Sequence, residues 1–524
     1  MVSAAPSPLP RVTLVAGPAD PYNTAIAAAR TCYAGRLITP EEVGASEASR
    51  DQRDRIARST FEAGHHTVWQ HAHFTFAVDQ VSRHLVWSLL HAHPFYNSEQ
   101  VSQRYVEVKP GRFTVPAFPD EETRALYIRT VAGMHACYAA LVEELEPTAA
   151  SAYFTVFPAR RRKAAEYGKD IRKKAQEIAR YALPVATHAH LYHTISALTL
   201  YRYWRLCEQA DVPGEARALV EAMVACVRAL DPALFNVLED PLPADETLEA
   251  RALEQLRAPA AGGAAAAFRR EFDAALGGRV SVLAGHDPRA EATVAETVRE
   301  MLALSRADLS DDDAIARVLD PARNPYLGGA LNLLTTAKLP RALHHASYTF
   351  RKKLSHTADS QDQRHRMTPA SRPVLARQVD LGAVDVVIPP MLAMNARALD
   401  RFTACMETVW QAMRTLQERA VPAAAWLYLL PNAFPIRFTE SGDLLYQHHK
   451  WTTRLCFTAQ EEIWRASVDE VEQVRAVHPR LGKWQLPPCG LRHRADITPY
   501  CPEGPRYCGV PAWKQDVKDY LRVI

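Results

Sequence analysis

The chain has almost no charge excess: 62 Lys and Arg stand against 59 Asp and Glu in 524 residues, a formal net charge of +3. The field of the whole molecule is therefore weak. Generic nucleic-acid binding is not expected, and any pull on an anion must be local. Long apolar runs are missing, and the N-terminus has no basic region followed by an apolar one. A soluble, cytoplasmic protein with no membrane partner is expected. The nine cysteines follow no regular spacing, which excludes a secreted disulfide scaffold. At this length about two to four domains are expected, and burying a large core is no difficulty.

What is present is concentrated between Gly64 and Val106. Phe74, Phe76 and Val78 alternate as in a half-buried strand. Val81, Leu85, Trp87, Leu89 and Leu90 suit a core-facing helix. A polar loop follows and ends in Ser102-Gln103-Arg104-Tyr105. Hydroxyl, amide and guanidinium groups in so short a span fit a phosphate and a flat base. Arginine binds phosphate bidentately, and amides read ring edges.

Around this stretch the chain repeats itself. Arg11 to Gly17 (RVTLVAG) returns as Arg279 to Gly285 (RVSVLAG), each followed by a helical pattern. The period is far longer than a solenoid unit and signals duplication of a whole domain. The small-residue run Ala258 to Ala267 is the linker between the copies. The domains are then 1–255, a linker 256–270, a second domain 271–480 and a tail 481–524. In the first domain Thr123 to Glu146 reads as an amphipathic helix stopped by Pro147. His188, His190 and His193 read as surface or packed histidines on a helical segment. Each copy mixes strands with long helices, so the fold class is α+β: a small antiparallel sheet beside long helices, twice over.

The ordered motifs resemble one family, the flavin-dependent thymidylate synthases (ThyX). Gly64-His65-His66-Thr67 and His71 resemble its GHxSxxEH segment, with Gln70 for the Glu. Phe74-Thr75-Phe76, Ser82-Arg83 and Ser102-Gln103-Arg104-Tyr105 follow in the family's order. His91-Ala92-His93 stands where the family has RHR. Glu177 to Pro184 resembles ExARxxLP, and Trp451 to Ile463 resembles LRxxxxAQxEI. The family's NxR is absent from both copies. In the second copy Arg351-Lys352-Lys353 is placed at RHR. The loop from Ser355 to His365 is read as the mirror of the Ser102 loop, with Asp362 for the Ser, so the literal Arg364-His365-Arg366 falls at the loop's end.

The resemblance implies reductive methylation of dUMP to dTMP, with FAD as cofactor and methylenetetrahydrofolate and NADPH as co-substrates. It implies Ser102, Arg104 and Arg454 as catalytic residues. Gln100, Gln103, Arg180 and Arg205 would contact the substrate. His65, Thr67, Gln70, His91, His93, Arg351, Lys352 and Lys353 would contact FAD. Since the family builds each site from several of four subunits, a doubled chain is expected to form a homodimer of four domains. Two other readings stay open: a divergent flavoenzyme on another pyrimidine nucleotide, and a non-catalytic nucleotide-binding relic of the fold. Separately, Cys489, His493, Cys501 and Cys508 form a candidate structural zinc set in the tail.

Overall fold

The structure, a computed structural model, describes residues 9–91, 93–208, 214–256, 263–520, 522 and 524. It falls into two compact units. One holds Met1–Ala136, Leu183–Ala260 and Glu407–Leu430; the other holds Cys137–Ala182, Ala261–Met406 and Pro431–Ile524. Each unit thus combines most of one copy with a segment of the other.

The first unit is built on an antiparallel sheet. Its strands are β1 (Arg11–Ala16), β2 (His73–Ser82), β3 (Asn97–Gln100) and β4 (His188–Ser196), in the order β1-β2-β4-β3. Phe74, Phe76 and Val78 point into the core, as their alternation requires. Near its end β2 bulges. Its register slips between Val78 and Val81, and Gln80 takes a left-handed φ of 62°. The Asp79 carboxylate accepts the Gln80 N–H at 2.8 Å and stabilises that bend. Helices Pro21–Thr31 and Glu215–Leu230 close the core with Tyr22, Ile26, Met223 and Val227.

Four sequence expectations change here. His188, His190 and His193 lie on strand β4, not on a helix, and their side chains run from half-buried through exposed to buried. The β-branched and aromatic residues between them suit the strand. Asn97 to Gln100, read as loop, is an edge strand paired with β4. Pro147 does not stop its helix, which runs from Glu121 to Val156. The ring removes one hydrogen bond, but Ala149, Ala152 and Tyr153 beyond it are buried and hold the helix in place. By length and composition this helix could cross a membrane, which the reading of apolar runs did not anticipate; half of its apolar window is buried within the fold.

The second unit repeats the plan. Its strands β5 (Ser281–His286), β6 (Ser347–Ser355), β7 (Ala370–Ser371) and β8 (Pro435–Asp443) are ordered β5-β6-β8-β7. Of the expected linker, 257–262 lie outside the described residues. Gly263–Leu276 is a helix that buries Phe272 and Leu276, as its alanine content favours.

The segment each unit takes from the other copy attaches in the same way. In the first unit the Ala186 N–H donates to the Tyr428 carbonyl at 3.0 Å. In the second the Ala433 N–H donates to the Tyr181 carbonyl, also at 3.0 Å. Tyr428 and Tyr181 belong to the matching sequences WLYLLP and ARYALP. The two copies have exchanged equivalent segments.

Candidate functional site

In the second unit, strand β6 leads into helix His356–Asp362 through Ser355. In the first, β2 leads into helix Arg83–His91 through Ser82. Both serines cap their helices: Ser82 Oγ accepts from the Leu85 N–H at 2.8 Å, Ser355 Oγ from the Ala358 N–H at 3.1 Å. This correspondence corrects two assignments. Arg351-Lys352-Lys353 lies in mid-strand on β6, paired with β5 and β8. Counted from the capping serine, Arg364-His365-Arg366 falls where His91-Ala92-His93 falls in the first copy. Residues Ser360 to Asp362 are helix, so they do not mirror the Ser102 loop. That mirror lies after β7, at Val374-Leu375-Ala376, where both the serine and the arginine are lost.

Each capping serine is braced by a glutamate in the first turn of a later helix, Glu215 half-buried and Glu462 buried. The Ser82 N–H donates to Glu215 at 3.0 Å, and the Thr114 hydroxyl donates to its other oxygen at 3.0 Å. The Ser355 N–H and hydroxyl donate to Glu462 at 2.5 and 2.6 Å, and the Tyr181 hydroxyl donates at 2.5 Å. Burial raises both carboxyls, and Glu215 reaches about 7. Glu462 stands in a motif read from the sequence. Glu215 was missed, although the repeat register points to it.

The sign of the Glu215 effect is definite. Between its ordinary 4.5 and about 7 the folded state binds more protons than the unfolded one, so this group's contribution falls as pH rises through that window. The full loss is about 3 kcal/mol. Glu215→Gln is expected to flatten this slope, so that its stability relative to wild type improves from pH 5 to pH 8 in denaturant titrations. An unchanged difference at the two values would contradict it.

Arginines gather at the end of helix His356–Asp362. Arg454 Nε donates to His365 Nε2 at 2.9 Å, and its Nη2 donates to the Gln361 carbonyl at 2.7 Å. Burial, then Arg454 and Lys450, push the His365 pKa well below its usual value, so the ring is neutral and accepts. Arg180, contributed by the first copy's sequence, is buried in this same unit. Its neighbour Tyr181 accepts from Gln460 Nε2 at 2.6 Å, and the Asn432 side chain donates to the Arg180 carbonyl at 3.0 Å. A guanidinium fixed on a neutral histidine, with a second arginine in the same unit, suits a phosphate.

The loop of the first unit has the other polar set. Ser102 and Arg104 are half-buried, Gln103 is buried, and the Arg104 N–H donates to Ser102 Oγ at 3.3 Å. Gln100 accepts from Arg83 at 2.8 Å. Arg205 lies apart from this loop, ion-paired with Glu239 at 2.8 Å and donating to the Asp240 carbonyl. His65, Thr67 and Gln70 are exposed around a 3-10 turn. His91 Nδ1 lies 2.6 Å from the Trp87 carbonyl. His93 Nε2 lies 2.8 Å from the Tyr203 hydroxyl, and burial lowers its pKa to about 4.

The three basic residues assigned to flavin in the second copy are engaged elsewhere. Arg351 stacks on Phe272 at 4.4 Å, and Lys353 pairs with Asp273 at 2.8 Å. Lys352 is buried in the core, 3.0 Å from Asp362 and 2.9 Å from Glu470. Lys450 lies 2.9 Å from Asp362 and also contacts Glu440. By sheet register Lys352 corresponds to Val78 and Glu440 to His193. One copy fills this part of its core with apolar and aromatic groups, the other with a five-membered ion network. The NxR positions are also taken. Ser196 and Asp443 cap helices there, and Leu198 and Leu445 are buried in the cores.

The flavin-family donor set therefore fits only in part. Exposed His65, Thr67 and Gln70 and the arginines near His365 can meet a phosphate-bearing cofactor; the buried lysine and leucine positions cannot. Among the described residues no three His, Cys, Asp or Glu side chains are drawn together as a metal site. His493 is exposed, its ring against Tyr500 at 4.8 Å.

Two alike α+β units, each with a braced strand-to-helix turn, define a duplicated fold. The family described as "Thymidylate synthase complementing protein" matches residues 13–233 and again 283–480, and the chain belongs to it. It is 29% identical over 230 residues to the flavin-dependent thymidylate synthase of Clostridium tetani, covering 43% of this chain and 85% of that protein. Among solved structures it is similar to a UMP/dUMP methylase, PolB, from Streptomyces cacaoi bound with 5-Br dUMP. That likeness has 19% identity and a TM-score of 0.30, over 44% of this chain and 95% of that one. It is also similar to the flavin-dependent synthase ThyX of Helicobacter pylori complexed with FAD and dUMP, at 16% identity and a TM-score of 0.30, over 44% and 100%.

Proposed function

We propose that the chain catalyses the flavin-dependent reductive methylation of dUMP to dTMP, with methylenetetrahydrofolate as carbon donor and NADPH as reductant. The observation that carries this reading is the second unit's cluster: Arg454 fixed on a neutral His365, with Arg180 from the other copy's sequence in the same compact unit. Arg454 and Arg180 would hold the nucleotide phosphate or stabilise negative charge that develops on the pyrimidine ring. In the first unit the nucleotide-contacting candidates are Ser102 and Arg104, with Gln100 and Gln103. Arg205 has a weaker claim, since Glu239 and Asp240 already engage it.

For FAD the first unit offers His65, Thr67 and Gln70, and the second unit offers Arg364 and Arg366. Bound FAD, once reduced by NADPH, would supply the hydride that converts the transferred one-carbon unit to a methyl group. Lys352 is withdrawn from this role by its buried ion pairs. Two chains would assemble as a homodimer with four domains, and the expected compartment is the cytoplasm.

The test is a titration of the FAD-supplemented protein with dUMP, followed in the visible flavin band. Uptake of FAD and a band shift saturating with dUMP support the reading; no FAD uptake overturns it. A shift with UMP but not dUMP would favour a related enzyme on another pyrimidine nucleotide.

A further inference from the structure

The tail brings together cysteines that are far apart in sequence. Cys456 follows the helix carrying Arg454, Cys489 opens the short helix Pro488–Arg494, and Cys501 and Cys508 lie in the loops beyond it. All four line one small pocket whose other walls are largely apolar, with Phe457, Tyr507 and prolines among them. None is in a disulfide. Four of the chain's nine cysteines thus converge on one place, and the exposed His493 is not among the lining residues.

Two of the sulfurs have a polar neighbour two residues on. The Thr458 hydroxyl is 3.1 Å from Cys456 Sγ. As a neutral thiol Cys508 also reaches the Val510 carbonyl at 3.7 Å. Burial opposes ionisation, and it raises Cys489 to about 12, with the neighbouring sulfurs adding to the effect. Four sulfurs converging on one largely apolar pocket are a donor set that a soft dication completes.

We propose that Cys456, Cys489, Cys501 and Cys508 form a structural zinc site of four thiolates. In the structure the sulfurs share a pocket without being drawn onto one point. Binding would close them around the ion: four thiols lose four protons to solvent, and four Zn–S bonds form. Four protein ligands leave no open position, so the ion would be structural rather than catalytic. Arg492 acts electrostatically on Cys501 and would offset the negative charge of the complex. The gain for the fold is local. From Ile497 onward the described chain has only single-turn 3-10 helices, so cross-linking to Cys456 would fasten it to the second unit's core.

The test uses the full chain, reconstituted with zinc under reducing conditions and assayed for metal. About one tightly held zinc per chain is expected. Cobalt in its place should give the intense sulfur-to-metal absorption and tetrahedral ligand-field bands of a thiolate site. Cys456→Ser and Cys508→Ser should lose most of the bound metal, while His493→Ala and Cys32→Ser retain it. Should the serine variants fail to fold, the wild-type cobalt spectrum decides. Folded wild-type protein that holds no zinc, cobalt without sulfur absorption, or full zinc in Cys456→Ser would each overturn the proposal.

Discussion

Arg454→Ala is expected to lower kcat/KM for dUMP about a hundredfold, the usual cost of removing one preorganised charge-stabilising donor. The guanidinium is oriented before any ligand arrives, because His365 and the Gln361 carbonyl each take one of its donors. His365 can accept only while neutral, and its cationic neighbours keep it so. Lysine carries the same charge but cannot make both contacts from one plane, so Arg454→Lys should recover little. The readout is dTMP formed from dUMP, with the melting temperature as control. Because Arg454 is half-buried at a helix end, stability should change far less than activity. An Arg454→Ala protein with wild-type kcat/KM would remove Arg454 from the site.

The second large effect is on stability. Lys352→Met is expected to destabilise the second unit by roughly 3–5 kcal/mol, the range for removing one partner of a buried ion pair. Its ammonium lies among Asp362, Glu470 and Glu440, and all of these groups are about 1% exposed or less. Removing it leaves three carboxylates to one remaining lysine, Lys450. Burial already pushes Glu440 to about 7, with Asp362 adding to the rise. The change should therefore also raise proton uptake on folding. The first copy gives a second arm to the test. It fills the equivalent core with residues such as Val78 and His193. Replacing Lys352 and Glu470 together by apolar residues should cost less than the two single changes summed, as for a coupled pair. Urea denaturation of the singles and the double measures this. Strict additivity would show that the lysine and the glutamate do not act as a pair.

This network also explains what could not be read from the sequence. In the first copy the inward positions of β2 are Phe74, Phe76 and Val78, so the alternation is plain. In β6 the matching positions are Tyr348, Phe350 and Lys352. The lysine breaks the apolar pattern, and Arg351-Lys352-Lys353 reads as the basic end of a helix. Charge neutralised by residues distant in sequence has no local signature. The bulge at Gln80 added to the error, because it shifts the spacing of one copy against the other. The capping serines would have been the better anchor, since a helix start is fixed by a hydrogen bond rather than by composition.

Other features were legible because they are local. The RVTLVAG repeat, the alternation in β2 and the paired helix motifs all survive in the two units. The exchange of segments between copies was not legible. It joins Tyr181 to Glu462 across 281 positions, and only the repeated Tyr-x-Leu-Pro text hints at it. The zinc proposal has the same character. Three of its cysteines cluster in the tail and were visible, whereas the fourth, Cys456, is brought in by folding and takes the place that spacing had assigned to His493.

The most direct measurement is the visible spectrum of the FAD-supplemented chain during a dUMP titration, with Arg454→Ala run in parallel. The account predicts that wild type retains flavin, that dUMP shifts the band to saturation, and that the variant keeps the flavin but needs far more dUMP. A chain that stays colourless with FAD, or whose flavin band ignores dUMP, would contradict it.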